Sequence, residues 1–225
     1  RNPLATLRNS VTYVSELAAR SEVPDAVVMA RIVRNIDRAD RIVTDLLDYT
    51  RIRPAPREEI HLDDWVQALL EEYVSPDSVS VTLSLQCPSR VLRVDEERVR
   101  RALINVLDNA CQACVRAVES GVESDKLATI MKSDGLVTVS TLIVSGRVEI
   151  RVEDSGMGVD ADVAAQMFEP LFSTRAFGVG LGLPHARECM KMQSGGLDWS
   201  QREGHTGSRF CLWIPIDGEW LEFEH

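Results

Sequence analysis

Basic residues are scarce in this 225-residue chain: 25 Lys and Arg stand against 35 Asp and Glu, for a formal net charge of -10. A nucleic-acid binder needs a basic face for its phosphate contacts, so the balance argues against that class. A nucleotide remains within reach, because a local nest of backbone N–H groups and one or two cations suffices for it. No apolar run approaches the ~20 residues needed to cross a bilayer, so nothing in the chain reads as a membrane anchor. Internal repeats and low-complexity tracts are absent, and no stretch given reads as a signal peptide. Cysteines are few and odd in number: Cys87, Cys111, Cys114, Cys189 and Cys211. Without a signal peptide they point to a reducing cytosol rather than a disulfide framework. Cys111 and Cys114 have C-x-x-C spacing, but they lie inside the helical run "LINVLDNACQACVRAV" with no second ligand pair nearby. Buried thiols are therefore the better reading than zinc or redox chemistry.

With 44% hydrophobic and 27% charged residues, the chain can bury a core and fold. Leu4, Leu7, Val11, Val14 and Leu17 step by three and four, which predicts one helix with a single apolar stripe. "SEVPDA" reads as a turn, and Val28, Ile32, Ile36, Ala39, Val43, Leu46 and Thr50 continue a second helix at near-heptad spacing. Two such helices cannot both bury their stripes alone, and pairing two hairpins into a four-helix bundle solves this. The alternative is a hairpin packed on its own C-terminal domain. "RIRPAPREE" (Arg51 to Glu59) reads as the linker that ends the hairpin.

Beyond the linker the pattern mixes helix and strand. Helices are predicted over Leu62 to Tyr73, from Asp95 to about Glu119, and over Pro184 to Met192. Strands are predicted over Val79 to Cys87, Arg90 to Val94, Leu136 to Val144, Val148 to Glu153, Leu197 to Gln201 and Ser208 to Ile214. Residues 120–135 read as a polar loop with a short helix near Leu127 to Met131. The expected architecture is α+β: a helical hairpin (1–53) followed by a two-layer α/β sandwich (54–225).

Three stretches carry candidate chemistry. Asn105 and Asn109 lie four apart, on one face of the long helix, inside the apolar run "LINVLDNA" where each amide needs a partner. An amide oxygen suits a hard cation such as magnesium when substrate phosphates supply other ligands. Asp154 opens "DSGMG" directly after a strand, where a carboxylate can accept from an exocyclic amine while Gly156 and Gly158 turn tightly against a flat ring. "FEPLFSTR" follows, with Phe168 and Phe172 as apolar anchors and Arg175 as a mobile cation. Then "FGVGLGLPHARE" places Gly178, Gly180 and Gly182 ahead of a helix, whose N-terminal N–H groups favour phosphate. Alone this stretch is a weak signal, because glycine-rich turns are common.

Taken in order, "NVLDNA", "DSGMG", "FEPLF" and "GVGLGL" resemble the N, first glycine, F and second glycine boxes of bacterial sensor histidine kinases. "GHTGSRFCLWIP" (Gly204 to Pro215) is similar to that family's last glycine-containing segment and terminal strand, and the resemblance runs from Arg1 to about Pro215. It implies a dimerisation and phosphotransfer hairpin ahead of a Bergerat-type ATP-binding domain. It further implies that Asn109 ligates magnesium and that Asn105 contacts the ion or the phosphates. Asp154 would bind the adenine amine, with Gly156 and Gly158 shaping that pocket. Gly178, Gly180, Leu181 and Gly182 would bracket the triphosphate, and Phe172 to Phe177 would form a short lid carrying Arg175 towards the γ-phosphate.

ATP and magnesium, a homodimer and a response-regulator receiver domain are the implied cofactors and partners, with the chain acting in the cytoplasm as part of a longer, membrane-anchored sensor. ATPases of the wider superfamily hold a water-activating glutamate where Asn105 stands, and an amide cannot act as that base. Transfer to a histidine is thereby favoured over hydrolysis. "RNPLATLRNS" looks like the tail of the family's H-E-x-R-N-P-L box, so the acceptor histidine is expected just upstream of Arg1, since none occurs before His61. Asn2 falls where family members orient water for dephosphorylating the regulator. Departures from the family pattern include Gln112 in the N box and Val179 in the second glycine box. A serine-directed kinase of the same fold and a non-catalytic scaffold are the competing readings.

Overall fold

The computed structural model describes residues 56–120, 135–174, 179–202 and 206–216, together with Thr12, Val14, Met29, Ile32, Val33 and Ile36, all six helical. The rest of the predicted hairpin, the predicted linker up to residue 55, and most of the predicted polar loop with its short helix near Leu127 to Met131 lie outside the described residues.

The elements run β1 (Glu58–His61), α1 (Leu62–Glu72), β2 (Val79–Leu85), β3 (Val91–Val94), α2 (Glu96–Glu119), β4 (Gly135–Val144), β5 (Arg147–Asp154), α3 (Ala161–Ala164), α4 (Gly182–Lys191), β6 (Gly196–Gln201) and β7 (Ser208–Pro215). β1 pairs antiparallel with β3 in a two-stranded sheet, and the main sheet has the order β2-β4-β5-β7-β6. Only its β2–β4 pair is parallel. Strand alternation decides the layers. Val137, Val139, Val148, Ile150, Val152, Phe210, Leu212 and Leu197 face one side and form the core with the buried stripe of α2. That stripe includes Val99, Leu103, Val106 and Ala110, at the three- and four-residue steps that put them on one face. The result is the expected two-layer sandwich.

Helix α2 starts where the sequence says it should. Asp95 is its N-cap and accepts from the Arg98 N–H at 3.2 Å, while Glu96 and Glu97 put negative charge in the first turn. Helix α1 is fastened to the sheet by a buried carboxylate. Asp63 accepts from the Cys87 N–H at 2.7 Å and from the Thr141 hydroxyl at 2.5 Å, so both its oxygens are satisfied.

Four expectations need correction. Glu58 and Glu59 are not linker but the start of β1, a strand whose single buried side chain is Ile60. Helix α4 begins at Gly182 rather than Pro184, so the proline occupies the third helical position instead of the first. Leu83 lies on the predicted face of β2 but is exposed, because α2 reaches little of this edge strand. The short helix α3 is an addition.

Candidate functional site

Asp154 is the last residue of β5 and is only 1% exposed. Its Oδ1 accepts the N–H groups of Gly156 (2.9 Å) and Ser208 (3.2 Å), while no hydrogen bond falls on Oδ2 among the described residues. Burial pushes this carboxyl up to about 6, against the opposing pull of the two N–H groups and of Arg202 and Arg116. A carboxylate held this way keeps one oxygen for structure and offers the other as a hydrogen-bond acceptor.

The glycines around it are required by contact as well as by flexibility. A Cβ on Gly156 would sit 2.8 Å from the Ala113 side chain of α2. Gly158 has φ +76, in the left-handed region. Gly207, from the turn before β7, has φ +108, and a Cβ there would overlap the Asp154 carbonyl oxygen. That same carbonyl accepts from Arg202 at 3.1 Å. Behind the turn, Ser155 donates its backbone N–H to the Leu136 carbonyl, and its hydroxyl accepts the Leu136 N–H at 2.9 Å. Gly207, Ser208 and Arg202 come from more than forty residues downstream, roughly the span that β-pairing must close. The second glycine of "GHTG" was the only sign of them in the sequence.

Helix α2 is the floor that connects this end of the site to the other. Ala113 touches the Gly156 turn, and eight positions earlier Asn105 faces Gly182, where a Cβ would lie 3.4 Å from Asn105 Oδ1. At 1.5 Å per residue these contacts lie about 12 Å apart along the helix. Asn109 sits between them on the same face, half-buried like Asn105. The Asn105 amide makes no hydrogen bond among the described residues, so a half-buried donor and acceptor are open beside the start of α4. No cluster of three or more His, Cys, Asp and Glu is present among the described residues. Cys111 and Cys114 are buried on α2, and burial pushes Cys111 up to about 11, so the C-x-x-C pair is a pair of packed thiols.

At the start of α4 the N-cap is Leu181, which is buried and makes no side-chain cap bond. The first helical bond is His185 N–H to the Leu181 carbonyl at 2.9 Å, so the N–H groups of Gly182 and Leu183 are spare, as Pro184 has none. The F box is clipped to this turn. Leu171 donates its N–H to the Gly180 carbonyl at 3.0 Å, and Gly180 has φ +74 with no room for a Cβ against Phe172. Leu171 itself has φ 66 and is 69% exposed. Phe168 packs on the core with the Arg187 guanidinium 4.7 Å above its ring, while Phe172 is half-buried. The structure sets Gly156 and Gly182 against the face of α2 that carries Asn105 and Asn109. Asp154 and Gly158 lie in the turn at the first contact, and Phe172, Gly180 and Leu181 in the segment leading to the second. Arg175, Gly178 and Asn2 lie outside the described residues.

The geometry has counterparts among known proteins. Residues 94–218 match the model of the family described as histidine kinase-, DNA gyrase B-, and HSP90-like ATPase. The chain is 29% identical over 226 residues to the sensor histidine kinase ZraS of Klebsiella oxytoca, covering 97% of this chain and 44% of that protein. Among solved structures it resembles the Acinetobacter baumannii histidine kinase AdeS, with a TM-score of 0.69 at 18% identity, over 97% of each chain. It also resembles the histidine kinase ThkA in complex with the response regulator protein TrrA, with a TM-score of 0.68 at 20% identity, over 95% of this chain and 60% of that one. The fold is shared with both. The chain spans less than half the length of the ZraS relative.

Proposed function

Because the chain belongs to the histidine kinase-, DNA gyrase B-, and HSP90-like ATPase family, we propose that it is the ATP-dependent protein-histidine kinase core of a two-component system. The observation that carries this reading is the pairing of two groups about 12 Å apart along α2. One is a buried carboxylate with a spare acceptor oxygen, suited to an adenine amine. The other is an open amide at Asn105 beside the spare N–H groups of α4, suited to phosphate. An amide at this position can orient phosphate or a cation but cannot take a proton from water, which favours phosphoryl transfer to a side chain over hydrolysis.

In this reading Asp154 accepts from the adenine amine, and Gly156 and Gly158 let the backbone lie against the ring. Gly178, Gly180, Leu181 and Gly182 bring backbone N–H groups to the triphosphate. Phe172 begins the lid, and Arg175 on that lid reaches the γ-phosphate. The donor set fits magnesium: Asn109 and Asn105 offer amide oxygens, and the described residues hold no carboxylate cage, so phosphate oxygens complete the shell. Bound there, the ion neutralises charge on the phosphoryl oxygens. The protein's own part is positioning: it excludes water from the base pocket, fixes the amine at one end and holds the phosphates at the other.

Residues 1–53 form the dimerisation and phosphotransfer hairpin in this proposal, with the catalytic domain over 54–225. Met29, Val33 and Ile36 are helical, spaced by four and three, and exposed at 44%, 53% and 49% in the single chain. An uncovered apolar stripe of this kind supports pairing with a second copy. Asn2, at the start of the hairpin, orients water for dephosphorylating the regulator, a receiver domain that takes the phosphoryl group on an aspartate. Free thiols at all five cysteines fit a reducing, cytoplasmic setting.

The test is phosphorylation by radiolabelled ATP of the chain extended by the histidine box expected ahead of Arg1. Acid-labile label on the added histidine is the expected product. Label stable to acid on serine supports the serine-directed alternative, and an absence of both rejects phosphotransfer.

A further inference from the structure

The main sheet has a second face, turned away from α2. Register places Arg147, Glu149, Arg151 and Glu153 of β5 on it, beside Arg209 and Cys211 of β7 and Asp198 and Ser200 of β6. A groove of about 190 Å3 runs across these side chains. Its floor is Glu149, which is only 1% exposed although it lies on the face opposite the core. Arg147 Nε donates to one carboxylate oxygen and Arg151 Nε to the other, each at 2.7 Å, and the Nη2 atoms follow at 2.7 and 2.6 Å. Burial pushes this carboxyl up, but the two guanidiniums and the Cys211 thiol outweigh it and hold Glu149 below the ordinary carboxylate range. Glu149 is thus ionised and fully occupied, and its work is to hold two guanidiniums in place. Cys211 is no nucleophile, since burial and then the Glu149 charge push its thiol up to about 12.

The donors left over define the site. Arg151 spends Nε and Nη2 on Glu149, and its Nη1 has no partner among the described residues. Arg209 turns its Nε to Glu153, and both its Nη atoms are likewise open among the described residues. Arg209 stands opposite Glu153 and Ser200, and Arg151 opposite Cys211, so the two guanidiniums are diagonal neighbours with the Ser200 hydroxyl alongside. The exposed acid Asp198 leans to the other end, 3.7 Å from Arg147 Nη1. At the Arg151–Arg209 end the groove therefore offers N–H and O–H donors, and the neighbouring Glu153 carboxylate has its Oε1 engaged by Arg209. Two guanidiniums and a hydroxyl together suit an oxyanion with several acceptor oxygens.

We propose that this end of the groove is a second ligand site, separate from the nucleotide site, which binds a small oxyanion of the phosphate class. The guanidiniums are already held by their carboxylates, so little ordering remains to oppose binding.

Inorganic phosphate is the probe, titrated into the intact chain with indole fluorescence as the readout, since Trp199 lines the groove and Trp213 stacks under Arg147. Saturable binding with a dissociation constant below roughly 10 mM is expected, and saturating ATP should leave it in place. Arg209→Gln should weaken it at least tenfold. Ser200→Glu should abolish it while keeping every arginine ion pair, on an exposed position of the edge strand β6. Both variants should bind ATP as the unsubstituted chain does. Phosphate that fails to saturate, that binds Ser200→Glu equally well, or that is displaced by ATP overturns the proposal. None of these outcomes bears on the kinase reading, which is tested by nucleotide affinity and label transfer.

Discussion

Replacing Asp154 by Asn should make the protein more stable and poorer at binding nucleotide. Asparagine keeps an oxygen where Oδ1 accepts from Gly156 and Ser208, so the turn is preserved. What disappears is a buried negative charge. Raising a carboxyl from 3.8 to about 6 corresponds, at 1.36 kcal/mol per pH unit, to about 3 kcal/mol. The sign follows from which state holds the proton more tightly. The folded protein does, so this group's contribution is most favourable below 3.8 and is lost as pH rises through about 6. The stability gap between Asp154→Asn and the parent should therefore open between about pH 4 and 6 and stay level above that range. For a chain of this size about 3 kcal/mol is a rise of roughly 6–12 °C in melting temperature. Nucleotide binding should move the other way. An Asn amide nitrogen at the Oδ2 position sets donor against donor, and losing a charge-assisted bond costs roughly 1.5–3 kcal/mol, or ~10- to 150-fold in ATP affinity. Thermal melts from pH 4 to 8, with ATP titrations at pH 7.5, measure both. Parallel melting curves for the two proteins across that range would refute the buried-charge argument, and unchanged ATP affinity would refute the acceptor role.

Asn109→Ala should abolish magnesium-dependent ATP binding while leaving the melting temperature within a few degrees; calorimetry with and without magnesium decides, and equal affinities remove Asn109 from the metal site. Gly207→Ala forces a side chain into the Asp154 carbonyl at φ +108, so it should cost roughly 1–3 kcal/mol and lower ATP affinity together, as read by melting and titration on one preparation. A fully folded, fully binding variant would mean that the turn can move. Asp63→Ala strands the Cys87 N–H and the Thr141 hydroxyl in the core and should cost roughly 2–5 kcal/mol in urea unfolding. A loss below about 1 kcal/mol would show that water reaches the site.

Much of the fold from residue 56 onward could be read from sequence because its elements are long and periodic. Asp95 announced α2 by side-chain capping, and β4, β5 and β7 carry apolar residues at alternate positions on the face against α2. Strand β1 was hidden because only Ile60 of its four residues is buried, and a charged four-residue strand looks like the linker that precedes it. The candidate site divides the same way. Asp154, Gly156, Gly158 and Gly182 sit in contiguous motifs whose order is informative. Gly207, Ser208 and Arg202 converge on Asp154 only through the β5–β7 pairing, and no local pattern encodes a carbonyl that needs a bare Cα against it. The groove across Glu149 was equally illegible, since alternating charges on a strand ordinarily mean a solvated face, and only the depth of Glu149 distinguishes this one.

The parallel pairing of β2 with β4 carries a consequence for how the protein comes to be active. Both asparagines ride on α2, and α2 lies in the crossover that must loop from Leu85 back to Gly135 before those two strands can meet. Adjacent hairpins such as β4–β5 close quickly, whereas a crossover of this length assembles late. Nucleotide binding should then be among the last properties to return on refolding, trailing the recovery of strand signal. A newly made chain could hold most of its sheet and still be blind to ATP.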